Sequence, residues 1–392
     1  MPSLSPLLPD IDFAHHEVPN LHALLASLRE QGPVVPVVYH GEPVWLILGH
    51  AELSQAFVDE VHFEGAAAYR LHAAPAMGKT IQTMSGEEHR IHRSLLSVPF
   101  FPRQVRSQVE TLIEPAIDEV LDRVEGQSEV DLVAAVAQPF PFRVISLLLG
   151  LPIDDEPQML EWALKLLDYP WDPEGALRAR REFSDHLKPV IQQRRRSPGE
   201  DLISILVTAE VEGERLDDEA IMAFCRILFP AGSDTTYKNL GCLLHAVLSQ
   251  PGLRERVLAG PEEREAIVSE GLRWEPPTAL LPRRCTRDTE LGGMPFRADT
   301  WVLFGIAAAN SDPAVFEEPR RFDPDRDHRK SLVFGRGQHF CLGSHLARRE
   351  LETAIQRLCE RFPDMVLMAD RPVDIIGGVL RGPRELWVRP RG

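Results

Sequence analysis

The sequence predicts a mainly α-helical fold with a small β-sheet region and a long kinked central helix. Three observations carry this: helical spacing of apolar residues through most of the chain, a few short β-branched stretches, and one unusually long helical segment that contains a proline. In chain order, PVVPVVYHGEPVWLILG alternates β-branched and aromatic residues around His40-Gly41-Glu42-Pro43 and reads as a strand hairpin. Helical periodicity marks Val105–Val124, Leu202–Ala209, Arg264–Arg273 and Ser344–Phe362, and short strands are expected at Thr300–Phe304 and around Arg384–Val388.

The long helix is expected from about Asp217 to Gln250, opened by the acidic LDDEA and stopped by Gln250-Pro251-Gly252. Inside it, FPAGSDTTYKN places Pro230, which has no backbone donor and crowds the carbonyl of Arg226, two residues before Gly232. The pair marks either a break into two helices or a kink whose opened turn lines a cavity. Asp234, Thr235 and Thr236 follow one turn later, an acid and two hydroxyls suited to handling protons.

With 392 residues, 44% of them hydrophobic, the chain can build a large core, and no linker divides it, so a single domain over 1–392 is expected. Cys225, Cys242, Cys285, Cys341 and Cys359 are odd in number and scattered, which fits a reducing compartment better than a disulfide framework. MPSLSPLLPDIDFAHHEVPN lacks the pattern of a signal peptide and nothing reaches the length of a membrane span, so a cytoplasmic protein is expected. A net charge of −16 argues against nucleic acid as a partner, and the locally basic RARRE and QQRRRSPGED read as solvated helix faces.

The chemistry concentrates in FGRGQHFCLGSHLARRE, Phe334 to Glu350. Cys341 stands just before a helix, whose positive end is expected to lower its pKa, and Gly335, Gly337 and Gly343 allow a tight loop and the close approach of a flat group. A structural thiol, a zinc site with His339 and His345, and a thiolate that holds a macrocycle are the three readings. Zinc lacks a fourth ligand at compatible spacing, and a structural cysteine explains neither the glycines nor the histidine.

Phe334, Gly335, Gly337, His339, Cys341 and Gly343 resemble, one by one, the haem-binding loop of the cytochrome P450 family. The resemblance implies the P450 fold with its long helix across the haem, haem b (iron protoporphyrin IX) as cofactor, and Cys341 as the axial thiolate. Ala231 and Gly232 resemble the family's oxygen-binding groove, with Asp234 and Thr235 at its acid and alcohol positions; the implied roles are room for oxygen at Gly232 and proton delivery by the other two. Glu270 and Arg273 look like its E-x-x-R pair, and PRRF resembles the segment that supplies a second arginine, here Arg321, to a structural triad. His89 and Arg93, four apart and so on one helix face, together with Arg283 and His339, look like its propionate ligands. SGEEH in place of a Pro-containing turn, and Pro230 before the groove, depart from the commonest pattern without touching a chemical residue.

The implied activity is a monooxygenase that inserts one oxygen atom from O2 into a small-to-medium hydrophobic substrate, such as a terpenoid, steroid, fatty acid or aromatic compound. By resemblance, Tyr69, Leu228, Thr278, Leu280, Val379 and Leu380 line its pocket. No flavin or iron–sulfur domain fits in the remaining residues, so electrons are expected from a ferredoxin and its reductase, docking near Arg336, Arg348 and Arg349, and a monomer is expected. A peroxide-driven enzyme of this fold would not need the acid–alcohol pair, and a haem-bearing sensor would not need the groove.

Overall fold

The chain was described as a computed structural model, covering residues 5–211 and 214–390. Strands Val34–Tyr39 and Glu42–Ile47 pair antiparallel through a two-residue turn, His40-Gly41, in which both residues have positive φ (51° and 76°). That backbone twist matches the twist of the flanking strands, and the turn is tighter than the four residues the sequence suggested. Trp301–Phe304 then adds parallel to the second strand, and Leu281–Arg284 adds antiparallel on its far side, with Arg283 opposite Val302. This sheet places Arg283 at the edge of the cavity described below.

Helices make up most of the remainder. The expected Val105–Val124 helix is divided into Pro102–Gln108, a wider π-type turn at Val109–Ile113, and Glu114–Asp122, with Pro115 at the start of the last piece. The long helix runs unbroken from Asp218 to Ser249. Asp217 caps it by accepting the Ala220 N–H at 2.7 Å, as the acidic start implied. Pro230 does not split it; one turn beyond the proline, Ser233 Oγ donates to the Phe229 carbonyl at 2.9 Å and Thr235 Oγ1 to that of Ala231 at 3.2 Å.

A helix buried on nearly every side has no wide polar face, and its neighbours include Pro139–Leu149, Glu156–Leu167 and Ser344–Arg361. Its one fully buried arginine, Arg226, donates to the Met77 carbonyl at 2.9 Å, to Ser184 Oγ at 2.8 Å and to Glu219 at 2.5 Å, tying three segments together.

Glu270 and Arg273 form a completely buried bidentate pair at 2.6 and 2.7 Å, and Arg273 also donates to the carbonyls of Asn310 and Pro319. The expected third member, Arg321, is displaced. Its side chain lies on the surface against Glu318, because the backbone turns there (Arg321 N to Glu318 O, 2.9 Å) and aims it outward. Arg326 and His328 complete the cluster instead, at 3.2 and 3.0 Å from the Glu270 carboxylate. A second buried carboxylate, Glu275, gathers His22, Arg320 and Arg381 at 2.9, 2.6 and 3.1 Å. Burial pushes its pKa up, but those three partners outweigh burial and hold it at about 2.

Arg326→Ala is expected to cost about 1.5–3 kcal/mol in urea unfolding, the value of a buried hydrogen bond to a charged group, while Arg321→Ala stays within about 0.5 kcal/mol. Equal losses would restore Arg321 to the cluster.

Candidate functional site: a chamber between the cysteine loop and the long helix

Phe334, Gly335, His339, Cys341 and Gly343 lie on one wall of a chamber whose opposite wall carries Leu228, Ala231, Gly232 and Thr235 of the long helix. The loop is shaped by its glycines. Gly335 and Gly337 have φ of 70° and 75°, a conformation side chains resist, and Gly337 packs against the Phe57 carbonyl, where a Cβ would lie at 3.1 Å. Phe334 is held by the Arg348 guanidinium, 5.1 Å from its ring centre.

Cys341 opens into the chamber, and its backbone N–H donates to the Phe334 carbonyl at 2.9 Å. The residue is exposed to the chamber, yet the protein packed around its thiol raises the pKa above the ordinary value, and the Gly343 N–H and Arg93 offset this only in part. The helix start alone therefore does not lower the thiol pKa, contrary to the sequence expectation. Metal coordination does, because a bound cation deprotonates the thiol outright.

The four expected propionate ligands converge on one side of this chamber. His89 and His339 stand ring to ring at 4.3 Å, and both Nε2 atoms are buried with no hydrogen-bond partner. Arg93, from the helix Gly86–Ser97, reaches the Phe340 carbonyl, and Arg283 lies between the rings of Tyr69 and Phe304 at 5.2 and 5.7 Å. Burial drives the pKa of His339 down to about 3, with His89, Arg283 and Arg93 adding to the effect. Two arginines and two unpartnered imidazoles around a closed space fit a ligand that brings two carboxylates. Haem fits this donor set, with sulfur at Cys341 and carboxylates at the histidines and arginines.

A zinc site does not form. His345 faces a surface hollow with Arg106, Arg329 and Glu352, not the chamber of His339 and Cys341, and no three His, Cys, Asp or Glu side chains converge among the described residues.

Gly232 lines the chamber and also packs closely against a neighbouring helix. A Cβ there would meet Ile145 of the helix Pro139–Leu149 at 2.8 Å, so the space it frees is taken by a side chain. Asp234 does not face the chamber. It lines a second, polar cavity with Asp168, Tyr237 and Lys238; its Oδ1 accepts from Lys238, and its buried Oδ2 has no partner. Burial lowers the Lys238 pKa, but Asp234 and Tyr237 outweigh burial and hold it above the usual value.

Of the expected pocket residues, Tyr69, Leu228 and Thr278 line the chamber. Leu280 is fully buried in the core beside the sheet, while Val379 and Leu380 line the second cavity, joined to the chamber wall by the Thr278–Leu380 bridge. Arg348 is committed inward, donating to Ser269 Oγ at 2.7 Å, and Arg349 pairs with Glu352, so neither is the free docking cation expected. Residues that the motifs did not mark also belong to the chamber, among them Ile145, Glu60 and Glu350. Glu350 is a buried carboxyl with an unpartnered Oε2, and burial raises its pKa well above the ordinary value. The only sequence signal for it was an acid on the apolar face of its helix.

A sulfur donor, a ring of carboxylate-binding groups and an apolar ceiling define a haem-thiolate protein. The model of the family Cytochrome P450 matches residues 13–259 and 264–387, and the chain belongs to the cytochrome P450 family. It is 34% identical over 357 residues to erythromycin C-12 hydroxylase of Saccharopolyspora erythraea, covering 88% of each chain. It is also 31% identical to the steroid C26-monooxygenase of Mycobacterium tuberculosis, over 78% of this chain and 85% of that one. Among solved structures, cytochrome P450 PksS of the Bacillus subtilis bacillaene polyketide synthase superposes with a TM-score of 0.87 at 30% identity, covering 95% of this chain and 97% of that chain. The protein is a P450 monooxygenase with a haem-thiolate cofactor, and its reaction takes a substrate, O2 and electrons from redox partners. No helix among the described residues is long and apolar enough to cross a membrane.

Gly232→Ala is expected to lower the thermal midpoint by several degrees, the size of effect that overpacking of about 1–3 kcal/mol produces, and Ile145→Ala in the same chain to restore much of it. No recovery in the double variant would mean that the glycine serves the chamber and not the packing.

Proposed function

We propose that Cys341 is the axial ligand of haem b and that the protein hydroxylates a compact hydrophobic substrate, with electrons from a ferredoxin and its reductase. The observation that carries this is the shared chamber: Cys341 on one wall, Thr235 on the other, and the His89–His339 pair with Arg93 and Arg283 at the side. When bound, thiolate-ligated haem supplies the activation of O2 by which one oxygen atom enters the substrate.

The chain's own work is to place the substrate and move protons. Ile81, Phe100, Ile227, Leu228 and Leu281 give the chamber an apolar lining, with Gln82 and Thr278 as polar points to orient one end of a ligand. That lining supports a terpenoid, steroid, fatty acid or aromatic frame. The relatives named above, an erythromycin hydroxylase and a steroid monooxygenase, support oxygen insertion into an organic substrate as the reaction.

Asp234 and Thr235 are adjacent, so their side chains leave the helix about 100° apart. One faces the polar second cavity and the other the chamber. In this reading Asp234 Oδ2 takes up protons on the polar side while Lys238 holds Oδ1, and Thr235 Oγ1, anchored on Ala231, passes them into the chamber. The reductive partner docks on the side of the cysteine loop, where Arg336 stands in the loop that carries Cys341.

Thr235→Ala is expected to keep the haem spectrum while product per NAD(P)H falls severalfold and peroxide rises; unchanged coupling removes Thr235 from proton delivery. Cys341→Ala is expected to abolish the thiolate-type Soret band of the reduced carbon monoxide complex, and its persistence overturns the ligand assignment. Compounds that convert the resting haem from low to high spin, followed by product analysis, identify the substrate frame.

A further inference from the structure

Two of the four carboxylate-binding groups, His89 and Arg93, sit on their own helix, Gly86–Ser97. The other two, His339 and Arg283, come from a loop and a strand, and both are contacted by one face of the helix Gly65–His72. At Gly65 the helix backbone meets the imidazole directly: a Cβ there would lie 2.4 Å from His339 Cδ2 and 2.8 Å from Nε2. Glu60 accepts the Gly65 N–H at 3.1 Å, and the same oxygen lies 4.0 Å from His339 Nε2. One turn further, on the same side, the ring of Tyr69 lies 5.2 Å from the Arg283 guanidinium, with Phe304 beyond at 5.7 Å. The strand Leu281–Arg284 packs along this helix. Arg70 fixes the helix from its outer side, donating to the Thr83 carbonyl at 3.0 Å and pairing with Glu64.

We infer that Gly65 and Tyr69 are positioning residues for the haem carboxylates: they fix His339 and Arg283, so that docking of the helix Gly65–His72 and retention of haem strengthen each other. The inference rests on the haem reading above. It adds to the role of Tyr69, which lines the chamber and whose ring also carries Arg283. Reciprocity follows from linkage: whatever orders this helix tightens haem, and haem orders the helix by the same factor. Because the helix also borders the chamber, a ligand that pushes it aside acts on the haem carboxylates without touching iron.

The test measures haem release to excess apomyoglobin, the propionate bending bands in resonance Raman spectra, and amide hydrogen exchange over residues 65–72 with and without haem. Tyr69→Leu is expected to speed release about five- to thirty-fold, the loss of one partly desolvated cation–π contact, and to shift the propionate bands. Gly65→Ala should act in the same direction. Tyr69→Phe should stay near wild type, as should Leu71→Ala on the exposed side of the same helix. In an Arg283→Leu background, Tyr69→Leu should add little. Exchange over residues 65–72 should slow when haem binds. Wild-type release and unshifted bands in Tyr69→Leu, full additivity with Arg283→Leu, or haem-independent exchange each overturn the inference while the haem reading stands. A wild-type protein that takes up no haem overturns both.

Discussion

Two arginines and two imidazoles gathered without a carboxylate among the described residues hydrogen-bonded to any of them are the constraint around which this structure is organised. Arg93, Arg283 and the imidazoles of His89 and His339, whose Nε2 atoms have no hydrogen-bond partner, crowd one side of a largely apolar chamber, and the Glu60 carboxylate accepts from the Gly65 N–H and lies 4.0 Å from His339 Nε2. Such a cluster is unfavourable in a polypeptide alone. It becomes favourable when a doubly anionic ligand enters, so part of the native free energy belongs to the cofactor. The cysteine shows the same dependence: it is exposed to the chamber, its surroundings hold its thiol pKa above the ordinary value, and a bound metal ion would take the proton's place.

The remainder of the fold holds these groups at fixed positions. Two fully buried carboxylates, Glu270 and Glu275, act as internal anchors, each drawing cations from remote parts of the chain. Buried ion pairs of this kind add little net stability over apolar packing, but losing one member is expensive. They therefore specify one arrangement of the segments behind the cysteine loop. Arg226 performs the equivalent task on the other side of the chamber, where a charged side chain inside the apolar run FCRILF binds two neighbouring segments.

Much of this was legible in the sequence because the strongest signals are local. The hairpin, the capped long helix and the glycine loop each follow from backbone preferences within a few residues, and their boundaries in the structure differ from expectation by a residue or two. What was not legible depends on direction and distance. Arg321 and Arg326 are five positions apart in a loop without periodicity, and only the turn at Glu318 decides which one points inward. Gly232 is adjacent to the acid–alcohol pair, yet the missing side chain accommodates Ile145, which is remote in sequence. Tyr69 lines the chamber as expected, but the engagement of its ring by Arg283, remote in sequence, has no local signal.

The two-cavity arrangement at Asp234 and Thr235 has an architectural consequence. The long helix separates a polar cavity from an apolar room, with adjacent residues lining different cavities. On the proposed reading, traffic in protons and traffic in organic molecules have separate doors. Residues such as Ile81 and Leu228 can be exchanged for larger or smaller ones to suit a new guest, while the Asp234–Lys238 side of the partition keeps its chemistry unchanged.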